Sequence, residues 1–369
     1  MNNVTLDPDL CRVRQGRLLD HMNALKIDAT IVVSAEHVQY LTGYRWDFRF
    51  SPVAALLASG ESLLICPDKV VDAKAVDDVR SYAAKWRSTL RTDQREASAH
   101  VLKDYFAGVP SIKRVGVEFS TCPVHVTHLF SEAEIIDIDR TLLEMRRHKE
   151  KDEIALLKRA IDATGEMYRV AREIIHPGVV ELDVFSALQA AAVSMCGEML
   201  TGTGNDYAAG VRGGPPRQRR CLSEELYILD LGPAYRGYFA DNARTIAVDG
   251  NPTDDQLIAW NHVCQAFDIV ERVGQPGVRC RDIYDEVQQW LNSAAIGSWS
   301  SHLGHGIGLF VHEGPHLNPH WDDTLEVGDV IAVEPALYAP GLSCGIRLEN
   351  DYIVTKSGLE LLSPFPLEL

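Results

Sequence analysis

Four histidines, His302, His305, His312 and His316, stand within the stretch SHLGHGIGLFVHEGPHL (301–317) of a chain that has 13 in all. Neutral imidazole binds divalent cations, and it serves equally as a polar group at a strand end, so partners decide which role applies. Candidate partners come from three remote segments. In ELYILDLGPAYRGYFADNARTIAV, Asp230 ends an apolar run and Asp241 follows 11 residues later. The intervening GPAYRG reads as a hairpin turn that would set the two acids facing each other on adjacent strands. GDVIAVEPALY puts Glu334 directly after VIAV, and CGIRLENDYIV puts Glu349 between two aliphatic stretches. An unpaired charge in such surroundings is costly. Four carboxylates with one imidazole make a hard, oxygen-rich set, suited to two divalent ions of the Mn, Fe, Co or Zn kind rather than to a thiolate zinc site. Bridging carboxylates hold such ions ~3.5–4 Å apart and lower the pKa of a shared water. Glycines beside His305 would let the backbone approach this centre closely.

These residues need a scaffold drawn from distant parts of the chain. A length of 369 residues suggests two domains, and the patterning divides near residue 143. Residues 9–27 read as an amphipathic helix, followed by short apolar runs (DATIVVS, AALLAS, SLLIC, RVGVEF, IIDID) alternating with polar, helix-compatible segments. This predicts an α/β domain over 1–143. The charged MRRHKEKDE marks the boundary and leads into a helix to about Ile175, stopped by HPG, within a second domain over 144–369. That domain carries an internal echo, PGVVELDVF (177–185) and PGVRCRDIY (276–284), each ending one helix and opening another. We read it as a duplication, hence a pseudo-symmetric α/β unit with its site between the halves.

Composition narrows the classes further. With 46% hydrophobic and 24% charged residues the chain reads as a soluble globular protein. Its net charge of −16 argues against nonspecific nucleic-acid binding. No leader and no membrane-length apolar stretch is read, so a cytoplasmic location is expected. The 8 cysteines form no C-x-x-C pair and are expected as free thiols.

The same residues resemble the pita-bread metallopeptidases of family M24, which include prolidase, aminopeptidase P and methionine aminopeptidase, with creatinase as a metal-free relative. The order Asp230 (DLG), Asp241 (DNART), His305 (GHGIG), Glu334 (VEPALY), Glu349 (RLEND), spaced by 11, 64, 29 and 15, fits the five metal ligands of that family. YLTGY and MRRHKEKDEIALLKRA extend the likeness to a creatinase-like first domain and the connecting helix. The resemblance implies that Asp241 and Glu349 bridge two metal ions, that Asp230 binds one, and that His305 and Glu334 bind the other. It implies a bridging hydroxide attacking a peptide carbonyl next to an imino acid, with Glu334 relaying the proton toward the leaving nitrogen. His312 matches a substrate-contacting histidine suited to stabilising an oxyanion. Arg347 orients a ligand or meets a substrate carboxylate, or is simply a salt-bridge partner behind the ligands. A homodimer is implied as well, and YLTGYRWDFRF (40–50) is either an arm toward the partner or a strand and turn of its own domain.

Four positions depart from the prolidase pattern. Gly213 replaces a histidine, Ser301 replaces another with His302 shifted by one, His316 stands where an arginine grips the dipeptide carboxylate, and Ala243 replaces a hydroxyl residue. Imidazole is no bidentate clamp, so carboxylate capture at 316 is doubtful. One of Arg212, Arg217, Arg219 and Arg220 could take over an anionic substrate group, or the run is a solvated loop. His302 and His316 either line the pocket and bind substrate or hydrogen-bond at strand ends. The expected activity is a dinuclear metal-dependent Xaa-Pro peptidase acting on small peptides. The alternative is a non-peptidase pita-bread enzyme, hydrolase or lyase, acting on a small osmolyte-type or N-substituted amino-acid compound.

Overall fold

The computed structural model describes residues 4–299 and 301–369, which form two compact units divided between Arg146 and Arg147. In the first unit the apolar runs are strands of one mixed sheet. They are β1 (Ala29–Val32), β2 (Val53–Leu57), β3 (Ser62–Pro67), β4 (Asp78–Tyr82), β5 (Arg114–Val117) and β6 (Glu134–Asp137), in the spatial order β4-β3-β2-β1-β5-β6. Every residue of β1, β2 and β3 is buried, which is why they read as continuous apolar runs and not as alternating ones. Helix α1 (Pro8–Leu25) starts where the Asp7 carboxylate accepts from the Asp9 amide and Pro8 supplies its fixed φ. The YLTGYRWDFRF segment is no strand. Tyr40, Leu41 and Thr42 lie buried at the end of helix α2 (Ala35–Thr42), Trp46 stacks on Tyr44, and Phe48 is 90% exposed.

This unit also holds a buried carboxylate, Glu118. One oxygen lies 2.5 Å from His37 Nδ1, and the other accepts from the Val33 and Ser34 amides at 2.5 and 3.0 Å. Arg146 reaches His37 Nε2 at 3.1 Å. Burial opposes ionisation of Glu118, but these hydrogen bonds and the pull of the His37 ring outweigh it and hold its pKa below the usual value.

The second unit repeats one device. Helices α3 (Lys151–Ile174) and α4 (Glu181–Cys196) precede the strand pair β7 (Leu226–Leu231) and β8 (Asn242–Ala247). Helices α5 (Asp254–Val273) and α6 (Cys280–Leu291) precede a five-stranded sheet. Its strands are β9 (Gly304–Gly306), β10 (Glu313–Leu317), β11 (Val330–Val333), β12 (Asn350–Thr355) and β13 (Gly358–Leu361), ordered β10-β9-β11-β12-β13. The echoed PGV turns make equivalent bonds. Gly178 N donates to Cys221 O and Cys221 N returns to Val179 O, while Gly277 N donates to Leu325 O and Leu325 N returns to Val278 O. The bridges Val180–Arg220 and Arg279–Thr324 complete the correspondence. The duplication read from the sequence is therefore present in the hydrogen bonding. Among the described residues no helix is long and apolar enough to cross a membrane.

Candidate metal centre

His305 is the middle residue of β9, paired with His316 on β10 and Ala332 on β11. The flanking glycines have a more particular role than backbone approach to the centre. A Cβ at 304 would lie 2.0 Å from Ala332 O, and one at 306 would lie 2.0 Å from Gly314 O, so only glycine lets both neighbouring strands close on His305. Its Nδ1 is 3.1 Å from the Gly306 carbonyl. A carbonyl only accepts, so the proton is on Nδ1 and Nε2 offers its lone pair. Nε2 lies 3.6 Å from Asp241 Oδ2 and 3.8 Å from Glu334 Oε1. Burial and the neighbouring His312 push the His305 pKa down to about 4, so it is neutral near pH 7.

The acids arrive on strand ends. β7 and β8 are antiparallel with Asp230 opposite Ala243, and the hairpin continues through Ala234–Tyr235 and Tyr238–Phe239 to a tight turn at Arg236 and Gly237. Asp241 immediately precedes β8, Glu334 follows β11, and Glu349 precedes β12. DNART holds RLEND in place. Glu349 N donates to Ala243 O at 2.9 Å, and Glu349 O accepts from Asn242 Nδ2 at 2.6 Å and from Arg244 at 2.5 Å. Thr245 Oγ1 accepts from Arg347 N at 3.0 Å and donates to Arg347 O at 2.9 Å. Ala243, the departure in this motif, contributes through its carbonyl.

The result is two touching groups. Ligand atoms of Asp230, Asp241 and Glu349 lie within 4.8 Å of one another, as do those of His302, His305 and Glu334, and a third set of Asp241, His305 and His312 overlaps both. Two unit charges 4 Å apart at an effective dielectric of about 20 repel by roughly 4 kcal/mol, so the first group cannot hold three bare charges. Burial, with Glu334 and Asp206 adding to it, pushes Asp230 up to about 6 against the pull of Arg347. Burial and the neighbouring carboxylates push Asp241 and Glu349 well above the usual range. Glu349 Oε2 is buried and accepts no hydrogen bond. An orphaned carboxylate oxygen, clustered acids and a neutral imidazole lone pair fit a divalent-cation site.

Around this centre His302 Nε2 lies 2.6 Å from Glu334 Oε1. The hydrogen bond raises the pKa of His302 against the effect of burial. For Glu334, burial is outweighed by that bond and by the pull of His302 and Arg347 beside it, so its pKa is lowered. His312, exposed at one edge, stacks on His305 with ring centroids 3.7 Å apart, and partial burial and the His302 charge lower its pKa. Arg347 lies 3.0 Å from Asp230 Oδ2, pairs with Asp206 and donates to Tyr338 OH at 3.4 Å. His316 is held by Asp323 at 2.8 Å and stacked on Trp321. Ser301 is exposed.

Sequence reading missed Asp206, Asp323 and Tyr338. Asp206 explains one departure, since a Cβ on Gly213 would lie 2.3 Å from Asp206 Oδ2. Its other oxygen accepts from Gly214 N at 2.6 Å. The paired glycines in VRGGPP are the one visible trace of that carboxylate. In the neighbouring loop Arg217 is locked on Glu181 at 2.5 Å, Arg219 pairs with Glu225, and Arg220 donates to Gly178 O at 2.7 Å. Arg212 instead lies over the Tyr338 ring, 4.3 Å from its centroid.

Two family models together match most of the chain. The Creatinase/Prolidase N-terminal domain matches residues 14–148, and Metallopeptidase family M24 matches residues 155–356. The chain is 27% identical over 362 residues to an uncharacterized peptidase of Staphylococcus aureus (strain USA300), spanning 95% of this chain and 98% of that one. It is 25% identical over 371 residues to a Xaa-Pro dipeptidase of Pyrococcus horikoshii, spanning 98% and 99%. Among solved structures, the prolidase from Pyrococcus horikoshii OT3 superposes with a TM-score of 0.81 at 22% identity, covering 97% of this chain and 99% of that one. Aminopeptidase P from E. coli superposes at 0.80 with 19% identity, covering 97% and 95%. These likenesses extend the pita-bread fold to this molecule, and the match over residues 155–356 makes the chain a member of metallopeptidase family M24.

Proposed function

We propose that this chain is a peptidase of the Xaa-Pro type, using two divalent cations held by Asp230, Asp241, His305, Glu334 and Glu349. The observation that carries it is the convergence of these five side chains, with Glu349 Oε2 left without an internal partner. When bound, the cations supply Lewis-acid polarisation of the scissile carbonyl and a water of lowered pKa. The protein's own residues do the rest. Arg347 fixes the Asp230 carboxylate from one side. The short contact between His302 Nε2 and Glu334 Oε1 stores a proton next to the reacting centre, where Glu334 can pass it to a leaving nitrogen. His312, kept neutral and stacked on His305, presents a ring N–H to charge developing on the carbonyl oxygen. The alternative of a small non-peptide substrate is favoured by one observation: the Asp206 carboxylate engages Arg347 and so withdraws it from a substrate anion. Phe48, 90% exposed, supports pairing of two chains.

The test is turnover of Ala-Pro and Ala-Pro-Gly by chelated protein reloaded with Mn²⁺ or Co²⁺, with metal content measured on the same sample. Metal-dependent cleavage of either is expected. A sample carrying two metals per chain that cleaves neither would overturn the proposal in favour of the non-peptide reading.

A further inference from the structure

We infer that Arg212, laid on the Tyr338 ring, is the residue that receives an anionic group of the substrate, and that the natural substrates carry a carboxylate for it. This rests on the peptidase reading above and narrows its substrate class.

The other basic side chains around the centre already have partners. Arg347 is held by Asp206 and Asp230, Arg217 by Glu181, Arg219 by Glu225, His316 by Asp323 and His302 by Glu334. Arg220 is turned away to the Gly178 carbonyl. Arg212 is exposed, and among the described residues it has no carboxylate partner. Its contact is with the Tyr338 ring, whose centroid lies 4.3 Å from the guanidinium carbon. A cation–π contact of this kind takes up no N–H donor in a hydrogen bond, so the fork that matches a carboxylate stays open while the ring restricts its motion. Tyr338 is 8% exposed, and its hydroxyl accepts from Arg347, which touches Asp230. The platform under Arg212 is thus tied to the candidate metal centre through two contacts. A Cβ on Gly213, the next residue, would abut Asp206.

A carboxylate bound here could be a chain terminus or an acidic side chain, and three peptides separate these. Ala-Pro carries a terminal carboxylate, Ala-Pro-Glu-NH₂ a side-chain carboxylate and Ala-Pro-NH₂ neither. Wild type, Arg212→Gln and Arg212→Lys, each metal-loaded, would be compared by kcat/KM and, in parallel, by calorimetric binding of the same peptides. Arg212→Gln is expected to weaken at least one anionic peptide about tenfold or more, through KM and Kd, with the neutral peptide unchanged. Arg212→Lys should recover part of that loss as a point charge without the fork. The anionic peptide that responds names the source. Equal affinity and turnover of all three peptides in Arg212→Gln and wild type would overturn the inference. Binding differences without any cleavage would leave it standing and remove the peptidase reading instead.

Discussion

Glu118 in the first unit and Glu349 in the second are the same residue type, 0% and 1% exposed, in opposite electrostatic states. Glu118 is answered from within the fold, by two backbone amides and the His37 ring, and its pKa falls below the usual range. Glu349 faces Asp241 and Asp230, keeps one oxygen without a hydrogen bond, and is pushed well above that range. Burial alone therefore does not mark a functional acid; what matters is whether the protein supplies the countercharge. Where it does, the group is structural. Where it does not, a cation or a proton must come from outside.

Exchanging each acid for its amide should pull the two cases furthest apart. Glu349→Gln is expected to lower kcat/KM of the metal-loaded protein by roughly a thousandfold or more, since a cation ligand worth several kcal/mol in the transition state is lost. The same change should leave the melting temperature of the metal-free protein equal or higher, because a crowded carboxylate is removed. Glu118→Gln should do the reverse: about 2 kcal/mol less stability by urea unfolding and unaltered kcat/KM well below the transition. An unstable metal-free Glu349→Gln would erase the distinction between the two acids.

The comparison also separates what the sequence made legible from what it did not. Asp230 and Glu334 could be read because an acid closing a run such as LYIL or VIAV is physically unreasonable without a partner. Asp241 was noticed through the hairpin, whose turn residues have a local signature, but the register sets Ala243, and not Asp241, opposite Asp230. The PGV echo exposed the duplication because each turn needs the same punctuation. Glu118 stayed hidden, as did Asp206, Asp323 and Tyr338. Their partners, His37, Arg347, His316 and Arg212, are at least 7 and up to 141 residues away or lack any motif, and such pairings exist only after the chain has folded. The 40–50 segment misled for a related reason: YLTGY is apolar enough for a strand, yet Ser34 caps it into a helix that Gly43 then ends.

Next in size is the response to pH, which should have opposite signs at the two acids. An acid whose pKa is raised by folding binds protons that the unfolded chain has already released. Its contribution is favourable at low pH and fades as pH rises from the unfolded value, near 4, through the folded value, about 6 for Asp230; Asp241 and Glu349, also raised, act in the same direction. Metal-free protein should thus lose a few kcal/mol of stability from these groups between about pH 4 and 7. Bound cations compete with those protons, so the gap in melting temperature between metal-loaded and chelated protein should widen from pH 5 to pH 8. Glu118, with its pKa lowered, contributes stability above its unfolded value and loses it as pH falls through the folded one. Glu118→Gln should therefore flatten the acid limb of the stability profile and leave the metal-dependent gap untouched. A gap that is constant with pH would mean that the clustered acids are not sharing protons.

The smallest expected effect concerns Asp230, which lies between the two extremes because Arg347 partly answers it. Arg347 is held in turn by Asp206, and Asp206 has room only because residue 213 has no side chain. In Gly213→Ala the new Cβ would meet all three carboxylate atoms of Asp206 at 2.3–2.6 Å. Asp206 is pinned at its other oxygen by Gly214 N, so it must leave Arg347 or shift the loop. We expect about 1–2 kcal/mol lower stability from the overpacking. We also expect a roughly tenfold lower kcat/KM, the size usual for loss of a residue that supports a metal ligand. Asp206→Ala alone should cause a similar drop in kcat/KM by freeing Arg347. The decisive measurement is the double variant. If Gly213→Ala acts through Asp206, it should cost almost nothing further in the Asp206→Ala background, in either urea unfolding or kcat/KM. Strictly additive losses would mean that the glycine serves the loop alone, and that Arg347 needs no carboxylate behind it to hold Asp230 in its intermediate state.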